Sequence, residues 1–99
     1  MFMIRETMHC KPGKVRDMVN KFKSLNGVMK RLGFQPFRLY TDVSGEKFWT
    51  VVAESDAKDL NDFLQMEEKV LSDAEAKKAM TGYHDLVEDG RREIFRVES

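Results

Sequence analysis

The chain has 99 residues, 41% of them hydrophobic and 34% charged, and its 17 basic residues balance 17 acidic ones. That length supports one domain, residues 1–99, and excludes a second independent core. Balanced charge excludes a global field that would gather nucleic acid or an anionic membrane, and no segment approaches the roughly 18 apolar residues of a membrane span.

Phe2 to Cys10 is β-compatible and ends at Lys11-Pro12-Gly13, where proline removes a ladder donor and glycine frees the backbone for a turn. One face of this strand carries Phe2, Ile4, Glu6, Met8 and Cys10, apolar apart from Glu6. The other carries Met3, Arg5, Thr7 and His9. From Lys14 to about Leu32 the residues Val15, Met18, Val19, Phe22, Leu25, Val28, Met29 and Leu32 recur at helical steps, with Gly33 as a left-handed stop. Lys14, Arg16, Lys21, Lys23, Lys30 and Arg31 populate the other side of that helix. No aromatic residues interleave with them, so they read as a solvated face rather than a phosphate site.

Phe37 to Val43 and Lys47 to Glu54 are β-rich runs joined by Ser44-Gly45-Glu46, the pattern of an antiparallel hairpin. Phe48 to Ala53 is almost wholly apolar or β-branched, which predicts a strand covered on both faces. Asp56 is a candidate N-cap for a second helix from about Ala57 to Leu71, its stripe of Leu60, Phe63, Leu64, Val70 and Leu71 interrupted by Glu67. Ser72-Asp73-Ala74-Glu75 matches a capping box and predicts a fresh, shorter helix to about Met80. After a linker over Tyr83 to Glu88, Asp89-Gly90 signals a turn, and Arg91 to Glu98 alternates as a last strand.

The single cysteine, Cys10, has no intramolecular partner, and together with seven methionines it points to a reducing cytoplasm. The apolar run Met1 to Ile4 is too short for a secretory signal. The thiol is expected to act as a small buried hydrophobe rather than a nucleophile.

Strand, helix, two hairpin strands, helix, strand predicts an α+β, ferredoxin-like βαββαβ domain, a four-stranded antiparallel sheet with its helices on one face. The bare face is expected to be apolar, through Phe48–Ala53, Phe37–Val43, Phe95 and Val97, and to be covered by a second copy in a homodimer. No Ser-His-Asp set, P-loop, dinucleotide fingerprint or zinc spacing is present, and His9, His84 and Cys10 lack a metal-binding spacing.

Strand 1 ending in Lys11-Pro12-Gly13-Lys14-Val15, the long helix, the hairpin with Trp49, and the closing Leu86-Val87-Glu88-Asp89-Gly90-Arg91-Arg92-Glu93-Ile94-Phe95 segment carry a resemblance over nearly the whole chain. The sequence resembles the dimeric α/β-barrel superfamily, and within it NIPSNAP-like and antibiotic-biosynthesis-monooxygenase-like proteins. The resemblance implies a dimeric α/β barrel with a cleft between sheet and helices that takes a small hydrophobic or aromatic ligand. Superfamily members that oxidise polyphenols use no metal or flavin, so it implies no cofactor. On that pattern Trp49 and Tyr83 are candidate walls, Arg5, His9 and His84 candidate polar contacts, and His9 and His84 candidate bases. The competing reading makes Trp49 and Tyr83 core or interface aromatics and pairs Arg5 with Glu6, Glu93 or a partner's carboxylate. The asparagine of the related haem-degrading enzymes is missing from strand 1, since Asn20 and Asn26 fall on the first helix. A ligand-binding homodimer leads, with a cofactor-independent monooxygenase-like enzyme and a protein-interaction dimer as alternatives.

Overall fold

The computed structural model describes residues 1–98. Phe2–Cys10 forms β1, Val15–Arg31 α1, Arg38–Thr41 β2, Thr50–Ala57 β3, Leu60–Ser72 α2, Ala74–Ala79 α3 and Val87–Arg96 β4, with a 3-10 turn at Tyr83–Asp85. The strands make one antiparallel sheet in the order β2-β3-β1-β4, so the expected ferredoxin-like α+β fold is the fold observed.

The stripe of α1 buries Met18, Val19, Phe22, Leu25, Val28 and Met29. Burial of such side chains contributes roughly 1.5–3 kcal/mol each, which is what holds a helix of this length that would be marginal alone. The helix stops at Gly33, whose φ of +86° lets the Phe34 N–H donate back to the Met29 carbonyl at 2.8 Å. Asn26 then fixes the approach to β2, accepting from the Phe37 N–H at 2.8 Å and donating to the Phe37 carbonyl at 3.0 Å.

Four boundaries differ from the sequence expectations, each for a local reason. The β2–β3 connection is not a tight hairpin at 44–46 but an eight-residue loop, 42–49, closed when the Asp42 carboxylate accepts from the Thr50 N–H at 2.8 Å. Trp49 turns the corner into β3 at φ +61°, a region bulky residues avoid. Because β3 runs on to Ala57, the cap of α2 is Asp59 rather than Asp56, and it accepts from the Asp62 N–H at 2.8 Å. The fresh helix after Ser72 forms as expected, capped one residue later by Asp73.

The fourth difference lies in β4, which starts at Val87 rather than Arg91. Asp89-Gly90 is no turn. His9 pairs with Asp89 but Cys10 pairs with Val87, so Glu88 is the extra residue of a bulge. Gly90 lies opposite Met8, where an added Cβ would sit 3.2 Å from the Thr7 carbonyl oxygen.

The expected apolar bare face is corrected in part. Val51 and Ala53 point at the helices and are fully buried, Val52 points the other way, and Phe48 and Trp49 belong to the loop. The bare face instead is mostly polar, carrying Arg5, Thr7, His9, Arg38, Tyr40, Thr50, Val52, Glu54, Asp56, Arg91 and Glu93, while Phe95 lies on it as expected, opposite Met3 and beneath the Arg5 guanidinium. An apolar run split by the pleat and by a loop covers one face of the sheet, not two.

Candidate functional site

A cleft of about 320 Å³ opens between the helix-covered face of the sheet and α1, α2 and α3. Its walls are apolar: Met8 from β1, Phe22 and Leu25 from α1, Phe63, Met66 and Val70 from α2, with Met80 and Tyr83 beyond α3. Three charged side chains converge within them. Glu6 and Arg92 come from adjacent strands, directly opposite each other in the ladder, and Glu67 comes from α2.

The Arg92 guanidinium donates through Nε to Glu6 and through Nη2 to Glu67, and it lies over the Phe63 ring, 5.1 Å from its centroid. Desolvation works against the charged guanidinium, but the hydrogen bonds to Glu67 and Glu6 outweigh it and raise its pKa above the ordinary arginine value. One cation is thus shared between two acidic side chains. Their unused lone pairs and the guanidinium's unused N–H groups are the polar features available to a molecule held between the walls.

These three residues escaped the sequence reading, although each left a trace. Glu6 broke the apolar face of strand 1, Glu67 broke the α2 stripe, and Arg92 alternates with Ile94. Charges at inward positions on three elements require partners, and that requirement was the signal.

The structure places the expected site residues in different regions. Tyr83 lines the cleft and stacks on exposed His84, with ring centroids 3.9 Å apart. Arg5 and His9 lie on the bare face and line a separate depression of about 480 Å³ under the 42–49 loop. There Arg5 pairs with Glu54 at 2.9 Å, not with Glu6 or Glu93. The His9 Nδ1 lies 3.2 Å from the Thr50 hydroxyl and its Nε2 lies 3.8 Å from Asp89. Trp49, 44% exposed, borders a third hollow with Val15, Thr41, Asp42 and Phe48. His9 and His84 line no common cavity among these. Cys10 is buried beneath α1, and burial, reinforced by the negative charge of Asp42, pushes its thiol pKa up. Among the described residues no group of three or more His, Cys, Asp or Glu side chains is arranged to hold a metal ion, and no helix is long and apolar enough to cross a membrane.

The fold as a whole matches solved structures over nearly the full length of the chain. An uncharacterised NIPSNAP domain protein from Burkholderia xenovorans superposes with a TM-score of 0.81 at 16% identity, over 100% of this chain and 96% of that one. The chain has the NIPSNAP-domain fold. A NIPSNAP family protein from Agrobacterium tumefaciens gives 0.81 at 13% identity, over 98% and 85% of the two chains. An antibiotic-biosynthesis-monooxygenase-like protein from Nitrosomonas europaea gives 0.73 at 13%, over 98% of each. No protein-family model and no curated protein matches the sequence. The NIPSNAP-domain fold is thus reached here by a sequence that shares few identical residues with these proteins.

Proposed function

We propose that this NIPSNAP-fold chain binds a small aromatic or otherwise hydrophobic molecule bearing a hydroxyl or similar polar group, in the cleft between sheet and helices. The observation that carries the reading is the convergence of Glu6, Arg92 and Glu67 inside apolar walls. Apolar walls supply affinity for a ring, and a few fixed polar groups orient it. The cleft volume lies at the lower end of the range for small-molecule sites. The chain acts in this reading as a homodimer joined through the bare sheet face, which places Arg5 and His9 in the space between the copies rather than at the ligand.

The test is calorimetric titration of the protein with 2-naphthol and with naphthalene. The expected result is saturable binding, with the naphthol favoured about tenfold through its hydroxyl and the preference lost in Arg92→Met. Absence of saturable binding to either compound overturns the proposal.

Cofactor-independent oxygenation of a phenol in the same cleft is the second reading. It is favoured by the stacking of His84 on Tyr83, which brings an imidazole to the edge of the cleft wall. Oxygen uptake with hydroquinone that falls strongly in His84→Ala, with the fold intact and His9→Ala on the bare face as the control, would establish turnover in the cleft in place of simple binding.

A further inference from the structure

β2 is four residues long and its first residue, Arg38, pairs with Glu54, so residues 55–57 of β3 run on past the end of β2. A hollow of about 290 Å³ opens there, on the side of the sheet that carries the helices, between the end of β3, the chain leaving α1, and α2. Its walls are the Phe34 and Phe63 rings with Met29 and Met66. Phe63 and Met66 also line the cleft, so the two spaces share that wall.

Ser55 lines the hollow from the inward face of β3, in line with Val51 and Ala53 and opposite Ile4, and it is 5% exposed. Its hydroxyl is the buried side-chain polar atom that finds no hydrogen-bond partner among the described residues. Alanine or valine fills the other inward positions of this stretch, and either would avoid the cost of burying a hydroxyl that nothing meets. In a chain whose other buried polar side chains are satisfied, that hydroxyl calls for a partner from outside.

We infer that this hollow is a second binding site, for a small neutral molecule with an aromatic body and a hydroxyl or carbonyl oxygen that hydrogen-bonds to Ser55. The inference stands apart from the cleft and from its trio of charges. A serine hydroxyl both donates and accepts, and rotation of χ1 between staggered positions turns it toward an occupant without moving the strand. Two rings and two thioethers around it suit a flat aromatic body. Exposed Lys58 and Lys69 balance exposed Asp56 and Asp62 around the mouth, so the lining has no surplus charge to draw an ion. Apolar walls with one uncharged hydrogen-bonding group at the floor therefore select by shape and by that single bond.

The test is an NMR titration of the isotope-labelled protein with p-cresol and with p-xylene, in which a methyl group replaces the hydroxyl. Backbone amide shifts at Phe34, Ser55 and Ala57 report the hollow, and those at Met8 and Tyr83 report the cleft. The expected result is saturable movement of the first set, with p-cresol favoured about tenfold over p-xylene and the preference lost in Ser55→Ala. Ser55→Ala should melt no lower than wild type, because the hydroxyl it removes has no partner in the chain to lose. If p-cresol moves only Met8 and Tyr83, the second site is overturned and the cleft reading stands; if it moves only the first set, the second site stands without the cleft. No saturable movement of the first set, equal affinity there for the two compounds, or a preference that survives in Ser55→Ala overturns the inference. A Ser55→Ala protein that melts well below wild type or fails to fold overturns it as well, since the hydroxyl would then have its partner within the chain.

Discussion

Replacing Arg92 by methionine removes the one cation that Glu6 and Glu67 share while keeping most of the side chain's volume. The Arg92 side chain is 41% exposed and its partners are 24% and 29% exposed, so each ion pair is partly screened and contributes about 0.5–1 kcal/mol. The guanidinium over the Phe63 ring adds about 0.5 kcal/mol. The sum is about 2 kcal/mol, which in a domain of this size lowers the melting temperature by about 10 °C. Thermal and urea unfolding followed by circular dichroism measure it directly. The triple variant Glu6→Gln/Glu67→Gln/Arg92→Met should recover about half of the loss, because it leaves no carboxylate without its cation. Arg92→Met within about 0.5 kcal/mol of wild type, or a triple variant no better than the single one, would refute the view that the trio acts as one unit.

Two further outcomes follow from which way each side chain points. Val51→Lys should unfold the chain, since Val51 is fully buried against the helices, whereas Val52→Lys on the bare face should leave a folded monomer; light scattering with circular dichroism separates them, and equal behaviour of the two contradicts the strand register. Cys10→Ala should cost only about 1–2 kcal/mol and leave ligand binding unchanged. Because burial and Asp42 favour the neutral thiol, native labelling of Cys10 should be slow at pH 7 and accelerate only as pH rises past the ordinary thiol range; fast labelling at neutral pH would count against a structural role.

The element order and the α1 stripe were legible because helical periodicity over that many residues has no competing interpretation. Gly33 and the helix start at Asp73 were legible through capping chemistry, to within a residue. The 42–49 loop was not, because its closure depends on the carboxylate of Asp42 reaching the Thr50 N–H, and a turn made by Trp49 at positive φ carries no glycine to announce it. The start of β4 was hidden because an Asp-Gly pair serves a bulge as well as a turn. The cleft itself was expected, but of the residues assigned to it only Tyr83 lines it. Histidine and arginine were sought there by type, whereas the deciding feature was charge at inward positions of apolar stripes, at Glu6, Glu67 and Arg92.

The bulge at Glu88 acts on the chain as a frame shift acts on a message. Lys11 donates to the Leu86 carbonyl on one side of it, which anchors the incoming chain, and on the other side every residue of β4 takes its face by parity. With Glu88 bulged out of the ladder, Arg92 turns in to Glu6 while Arg91 and Glu93 turn out to the bare face. Were the bulge drawn flat, with Glu88 pairing His9, every later residue would slip by one, bringing Arg91 opposite Glu6, turning Arg92 to the bare face and emptying the cleft of its cation. Substitutions in this stretch act one side chain at a time, as at Gly90 and Arg92, whereas the bulge acts on both surfaces together.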